Sequence, residues 1–276
     1  MPSMIAAISI SELRHMIGTA QAPLILDVRR TPAFDGAERM IAGAVRRDPS
    51  AVSLWAKTLT RGRDLVVYCV HGHEVSQIAA MLLRDAGFDA RYLEGGIEAW
   101  LAANAASMAK PSKALGSPWE GRAWITRERP KIDRIACPWL IRRFVDPFAV
   151  FRYAASEHVA PIAKAEGAVP YDIPGVTFSH DGELCSFDAV INQFDLRDAA
   201  LSRLADIVRG ADTQRPDLAP QSAGLLAISL GLSAAMPDDL AMLEYAMGIY
   251  DALYLWCRDV SGERHAWPPN MNGAAA

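Results

Sequence analysis

Short apolar runs alternate with amphipathic stretches through the amino-terminal part of the chain. "APLILDVRR" (residues 22–30) carries an uninterrupted apolar run that ends in Asp27, and "DLVVYC" (64–69) repeats the form and ends in Cys69. Continuous runs of this kind predict strands of a parallel sheet covered on both faces. "SISELRHMIG" (9–18) places Leu13, Met16 and Ile17 on one helical face behind Ser11 as the cap, and "QIAAMLLRDAGF" (77–88) has helical spacing closed by Gly87. "DARYLEGGIEAWLAA" (89–103) reads as strand, glycine turn and helix. This alternation predicts an α/β unit, a parallel sheet flanked by helices, whose ligands sit beyond the carboxyl ends of its strands. Asp27 and Cys69 stand at two such ends.

From Ala105 to Pro118 the chain becomes small, polar and proline-bearing, "ASMAKPSKALGSP" from residue 106, which is a linker composition. Beyond it, "AWITRE" and "VFRYAA" read as strands around a helix, "DRIACPWLIRRF". Helical patterns then dominate, over 156–166, 186–196, 198–209, 217–235 and 238–258. The chain therefore divides into an α/β domain (1–107), a linker (108–120), a mostly helical α+β domain (121–260) and a tail (261–276). Neither domain repeats the other.

Composition narrows the function. A net charge of -4, with small basic clusters flanked by acids, argues against direct nucleic-acid binding. The most apolar stretch, Ser222 to Met236, is too short and too rich in Gly and Ser to span a bilayer, and no membrane association is expected. The amino terminus lacks the pattern of a secretory signal, and the four cysteines are scattered without CxxC pairs. A reducing cytoplasm is the expected compartment.

The segment "CVHGHEVS" (69–76) puts Cys69 where a strand runs through a short loop into a helix. Amides of such a loop, aided by the helix dipole, form an anion cradle in which a thiol loses its proton more readily. Gly72 permits the turn. The loop alone fits an inert strand-end cysteine equally well. Cys69, His71 and His73 supply at most three metal ligands on one tight loop, without an evident fourth, so a metal is not expected there.

"LILDVR", "YCVHGHEVSQIAAMLLRDAGF" and "YLEGGIEAW", in this order and spacing over about residues 5–105, resemble the rhodanese domain. The resemblance implies a sulfurtransferase in which Cys69 accepts a sulfane sulfur as a persulfide and passes it to a thiol or cyanide, with no cofactor required. It implies further that Val70, His71, Gly72, His73, Glu74, Val75 and Ser76 form the cradle, with the helix starting near Ser76, and that Asp27 and Arg29 support it. The loop departs from the common rhodanese form, roughly CxSGxRS, by being one residue longer and lacking arginine. Related phosphatases need an arginine six residues after the cysteine, and Val75 holds that place, which argues against phosphatase chemistry. "RMIAGA" (39–44) stands where GHIPGA is usual, and Glu74 opposes an anion that His71 and His73 would favour. Thiosulfate turnover should accordingly be modest.

"WITRERPKIDRIACPWLIRRFVDP", "DIPGVTFSHDGELCSFDAV", "IVRGADT" and "LAPQSAGLLAISLGL" resemble the carboxyl-terminal domain of the chromate-resistance protein B family over about residues 122–259. That implies a link to chromate resistance or its regulation and makes chromate a candidate ligand. Where many members carry a DNA-binding domain, this chain has the rhodanese-like one. Among the residues themselves, His180, Asp188 and Cys185 gather around a glycine turn, and a transition metal is the candidate cofactor they suggest. Asp133 and Cys137 share one helix face, with Arg134 as an alternative counter-charge. Asp212 is expected to be an exposed cap after a helix ending at Gly210. The reading is a sulfurtransferase acting through Cys69 in chromate tolerance. The alternative is a non-catalytic oxyanion or redox sensor.

Overall fold

The computed structural model describes residues 6–110 and 120–262. The amino-terminal unit is built on five parallel strands: β1 (Ala7–Ile8), β2 (Leu24–Asp27), β4 (Val45–Arg46), β5 (Leu65–Tyr68) and β6 (Ala90–Leu93), ordered β1-β6-β5-β2-β4. Helices α1 (Ile10–Met16), α2 (Thr31–Asp35), α3 (Val52–Trp55), α4 (Glu74–Asp85) and α5 (Gly96–Ala102) connect them. Strand pleating divides the apolar runs between two cores. Leu24, Leu26, Leu65 and Val67 join Ala79, Ala80 and Leu83 of α4, whereas Ile25, Val66 and Tyr68 join Leu13, Ile17, Ile97 and Trp100. The cap of α1 is Ser9, two residues before the expected Ser11. Its hydroxyl accepts from the Glu12 amide while Glu12 accepts from the Ser9 amide, so the Ser-x-x-Glu box decides the start.

The segment read as a linker from residue 108 begins instead within a strand. β7 (Ser107–Ala109) pairs antiparallel with β3 (Arg39–Ile41), and Met108 is buried. On its other side the Ala109 amide donates to Phe194 O and Ser107 exchanges backbone hydrogen bonds with Arg197; residues 111–119 of the linker and 263–276 of the tail lie outside the described residues.

The second unit is largely helical with a small parallel sheet, β10-β8-β9, made of β8 (Ala123–Arg127), β9 (Val150–Ala154) and β10 (Val169–Pro170). Its helices are α6 (Asp133–Phe144), α7 (Ser156–Glu166), α8 (Ser186–Gln193), α9 (Ala199–Asp212), α10 (Ser222–Ala235) and α11 (Asp239–Leu255). α6 is apolar on nearly every side and lies at the centre. Pro138 sits in its second turn, beyond the first-turn position where proline costs nothing. The Arg134 carbonyl that it leaves without a helical donor accepts from the Tyr153 hydroxyl (2.9 Å) and the Tyr171 hydroxyl (3.4 Å). α9 continues through Gly210, where an added Cβ would lie 2.4 Å from Ser222 Oγ, so this glycine serves close packing and ends nothing.

One hydrophobic cluster runs through both units, from Ile8 to Cys257. Tyr254 and Phe144 press so closely on Gly18 that a Cβ there would meet the Tyr254 ring at 2.3 Å. Arg258 caps the end of α1, donating to the carbonyls of Arg14, His15 and Ile17. No helix among the described residues is long and apolar enough to cross a membrane.

Candidate functional site

β5 delivers Cys69 to its carboxyl end, and the chain turns through Val70 to His73 before α4 starts at Glu74, two residues before the expected Ser76. Backbone contact fixes this turn. Gly72 has φ +71° and Gly96 φ +59°, and a Cβ on Gly96 would meet Val70 O at 2.4 Å and Gly72 N at 2.5 Å. The amides of Ile97 and Glu98 donate to the carbonyls of Cys69 and Val70, so the "LEGG" turn is stitched to the cysteine loop.

Cys69 Sγ is 3.2 Å from Ser76 Oγ and 4.0 Å from the His73 carbonyl. The amides of Ser76 and Gln77 both donate to His73 O, whereas those of Val70 to Val75 meet no acceptor among the described residues. The thiol is 6% exposed and lies in the wall of a cavity of about 270 Å³, which Arg29, Arg30, His71, His73 and Glu74 also line. Beneath it, Arg29 Nε donates to both Asp27 oxygens at 3.0 Å, and the Tyr68 hydroxyl donates to Asp27 Oδ2 at 2.8 Å. Asp27 thus ties Arg29 to Tyr68, the residue before Cys69, and the Arg29 charge is spent on it. Arg30, which the sequence reading passed over, is exposed at the cavity and forms no ion pair among the described residues. His71 Nδ1 is 3.1 Å from Glu98, both exposed. The Cys69 thiol thus meets a hydroxyl and a cavity whose rim carries Arg30, two imidazoles and one carboxylate, Glu74.

In the second unit the polar residues gather differently from expectation. Asp133 opens α6, Asp172 follows β10 in a left-handed conformation (φ 51°), and Asp212 closes α9. His180 Nε2 faces all three, at 3.6 Å from Asp133, 3.5 Å from Asp172 and 3.1 Å from Asp212. Asp172 also receives Arg127 Nη2 at 3.1 Å, Arg134 Nε at 3.3 Å and the Ser186 hydroxyl at 2.9 Å. Arg134 is therefore a partner of the cluster through Asp172. Asp133 Oδ2 accepts from the Ser186 amide, and its Oδ1 is buried without a hydrogen-bond partner. Burial pushes the Asp133 carboxyl well up, reinforced by Asp212 and Asp172; burial also raises Asp212, with His180 opposing.

Asp188 stands apart from His180. Its two oxygens accept from Arg209 Nε and Nη2 at 2.9 Å each, and Oδ2 also accepts from the Cys185 amide, closing the first turn of α8. Arg209 precedes Asp212 by three residues on α9, so the two carboxylates are separated by that side chain's use. Cys185 and Cys137 are fully buried, and burial followed by the charge of Asp133 drives both thiols up. His180, expected beside Asp188 and Cys185, faces the carboxylates of Asp133, Asp172 and Asp212 instead, while Asp188 is held by Arg209. Asp212, expected as an exposed cap, faces His180 because α9 runs two residues past Gly210. Asp172 was legible only as an acid at a strand end before Pro and Gly. Arg142 and Arg143 pair with Glu244 and Asp251.

Residues 9–103 match the family model for a rhodanese-like domain, and residues 124–257 match that described as ChrB, C-terminal domain. Protein ChrB of Cupriavidus metallidurans is 34% identical over 137 residues, covering 49% of this chain and 41% of that protein. The chain thus spans less than half the length of this curated relative. A rhodanese-related protein from Thermoplasma volcanium is 26% identical over 36% of this chain and 94% of its own (TM-score 0.32). A rhodanese-like domain protein from Staphylococcus aureus is 23% identical over 34% and 90% (TM-score 0.31). The chain therefore carries a region similar to the rhodanese-like domain, followed by one similar to the ChrB C-terminal domain.

Proposed function

We propose that the amino-terminal domain is a sulfurtransferase that carries a sulfane sulfur on Cys69. The observation that supports it most directly is the thiol itself, set 3.2 Å from Ser76 Oγ in the wall of an open cavity, on a loop whose amides lack acceptors among the described residues. In the reaction the Cys69 thiolate attacks the outer sulfur of thiosulfate. The sulfur–sulfur bond breaks, sulfite leaves with its electron pair, and a cysteine persulfide remains. An acceptor thiolate or cyanide then attacks the terminal sulfur and regenerates the Cys69 thiolate. Electrons balance within the donor and acceptor, and no cofactor is called for.

The ChrB-type domain extends this reading to chromate tolerance, with sulfur chemistry at Cys69 supplying or reporting thiol redox state in a reducing compartment. Mass spectrometry after incubation with thiosulfate should find one added sulfur atom on Cys69, absent in Cys69→Ser. Failure to form the adduct with thiosulfate or any other sulfane donor would reject sulfur transfer and favour an oxyanion or redox sensor built on the same loop.

A further inference from the structure

The carboxylates around His180 are unevenly supplied with positive charge. Asp172 has two arginines and a hydroxyl, whereas Asp133 and Asp212 each accept a backbone amide, from Ser186 and Asp133, and have only His180 within ion-pair distance among the described residues. His180 Nε2 carries at most one hydrogen, yet three carboxylate oxygens lie within 3.6 Å of it. A single proton can serve one of them. Asp133 Oδ1, on a residue 1% exposed, has no partner, a cost a buried carboxylate does not bear without compensation.

We propose that Asp133, His180 and Asp212 bind one divalent transition-metal ion of the Mn2+, Fe2+ and Zn2+ class. Their ligand atoms all lie within 4.8 Å of one another. Ligands about 2.0–2.2 Å from a common ion stand roughly 3 Å apart, so only small shifts bring them to bonding distance. One imidazole with two carboxylates suits ions of intermediate hardness, and the Cys185 thiol is not among the three converging groups. A cavity of about 640 Å³ opens beside His180 and Asp172, with Arg127 on its wall. The ion keeps open coordination positions toward that cavity, which suits a small oxyanion held between metal and Arg127. This site is independent of Cys69.

The test uses the full chain prepared without a histidine tag, stripped with a chelator and titrated with Mn2+, the free ion being counted by electron paramagnetic resonance and displaced with Zn2+. One ion per chain is expected. His180→Ala and Asp212→Asn should each weaken binding by about tenfold or more, since even groups that only orient a ligand contribute about that much. Cys185→Ser should bind as the parent chain does. His180 is 42% exposed, so its truncation leaves the fold intact, which circular dichroism would verify. Absence of stoichiometric Mn2+ and Zn2+ binding, or unaltered binding in both folded variants, overturns the proposal. Loss on Cys185→Ser alone would do so too.

Discussion

Cys69 Sγ and Ser76 Oγ are 3.2 Å apart, one at the end of β5 and the other in the first turn of α4, so a hydroxyl fixed by the helix can donate to the sulfur. The Ser76 hydroxyl donates to the His73 carbonyl at 3.1 Å, so its single hydrogen must turn from that carbonyl to reach the sulfur; the residue is fully buried. Donation to a thiolate or persulfide is a hydrogen bond to charge, worth about 1.5–3 kcal/mol. Ser76→Ala should therefore slow persulfide formation roughly tenfold to a hundredfold while the thermal midpoint changes little. A stopped-flow measurement with thiosulfate separates the two effects, and equal rates in parent and variant would remove Ser76 from the chemistry.

The rim of the Cys69 cavity sets Arg30 against Glu74, since Arg29 is neutralised by Asp27. Two unit charges about 8 Å apart at an effective dielectric near 40 interact by about 1 kcal/mol, or roughly fivefold in rate. Thiosulfate carries two negative charges. Counting both charges, about 2 kcal/mol, Glu74→Gln should raise kcat/KM for thiosulfate by up to roughly thirtyfold and Arg30→Ala should lower it by a similar factor, both effects shrinking as salt is added. Glu74 also favours the N-terminus of α4, so its variant should lose about 0.3–1 kcal/mol of stability. A salt-independent change would mean that shape, not charge, is responsible.

The fold was legible because its evidence is local. Apolar runs ending in Asp27 and Cys69 declared parallel strands, and the regular spacing of α6 and α7 declared helices. The cysteine loop was legible for the same reason, its residues being contiguous. The acidic cluster was not, because Asp133, Asp172, His180 and Asp212 come from four segments that only the packing of α6, α8 and α9 brings together. Sequence proximity favoured Asp188, eight residues after His180 where Asp212 lies thirty-two after it, yet Arg209 claims Asp188. A glycine in a helix was also misread as an end: Gly210 is there because Ser222 packs on it, a long-range contact with no local signature.

Gly96 lies against the cysteine loop, and its Cβ would overlap backbone atoms of Cys69, Val70 and Gly72 at 2.4–2.6 Å. None of these atoms ends a flexible side chain, and φ is +59°, so both sterics and backbone strain oppose substitution. Gly96→Ala should cost on the order of 1–3 kcal/mol and move the loop enough to abolish persulfide formation. Gly62 offers the comparison, with φ +87° but open space around it. Gly62→Ala should lose stability through backbone strain alone and keep full sulfur transfer. If both variants transfer sulfur equally, the loop is not held by this contact.

Arg39 reaches across the two units to the carboxylate and carbonyl of Asp195, with its Nη2 2.7 Å from the carbonyl. The Asp195 carboxyl is held below its usual range by hydrogen bonds from Arg197 first and from Arg39, with slight burial opposing. A carboxylate with a depressed folded value stabilises fully above the unfolded value, near 3.9, and its contribution is lost as pH falls through the folded value. Asp195 is 48% exposed, so its ion pairs are worth at most about 1 kcal/mol. Arg39 is only 13% exposed, and stranding its charge adds to the cost of Asp195→Asn. At pH 7 this variant should unfold about 2–4 °C below the parent chain. The gap should narrow as the pH is lowered below about 4 and close once Asp195 is protonated in the parent. Thermal unfolding of both proteins between neutral and strongly acid pH measures it, with Arg39→Met as the matching partner in a double-mutant cycle. A gap that is constant with pH would mean that the Arg39 contact to the Asp195 carbonyl, and not the carboxylate, holds the two units together.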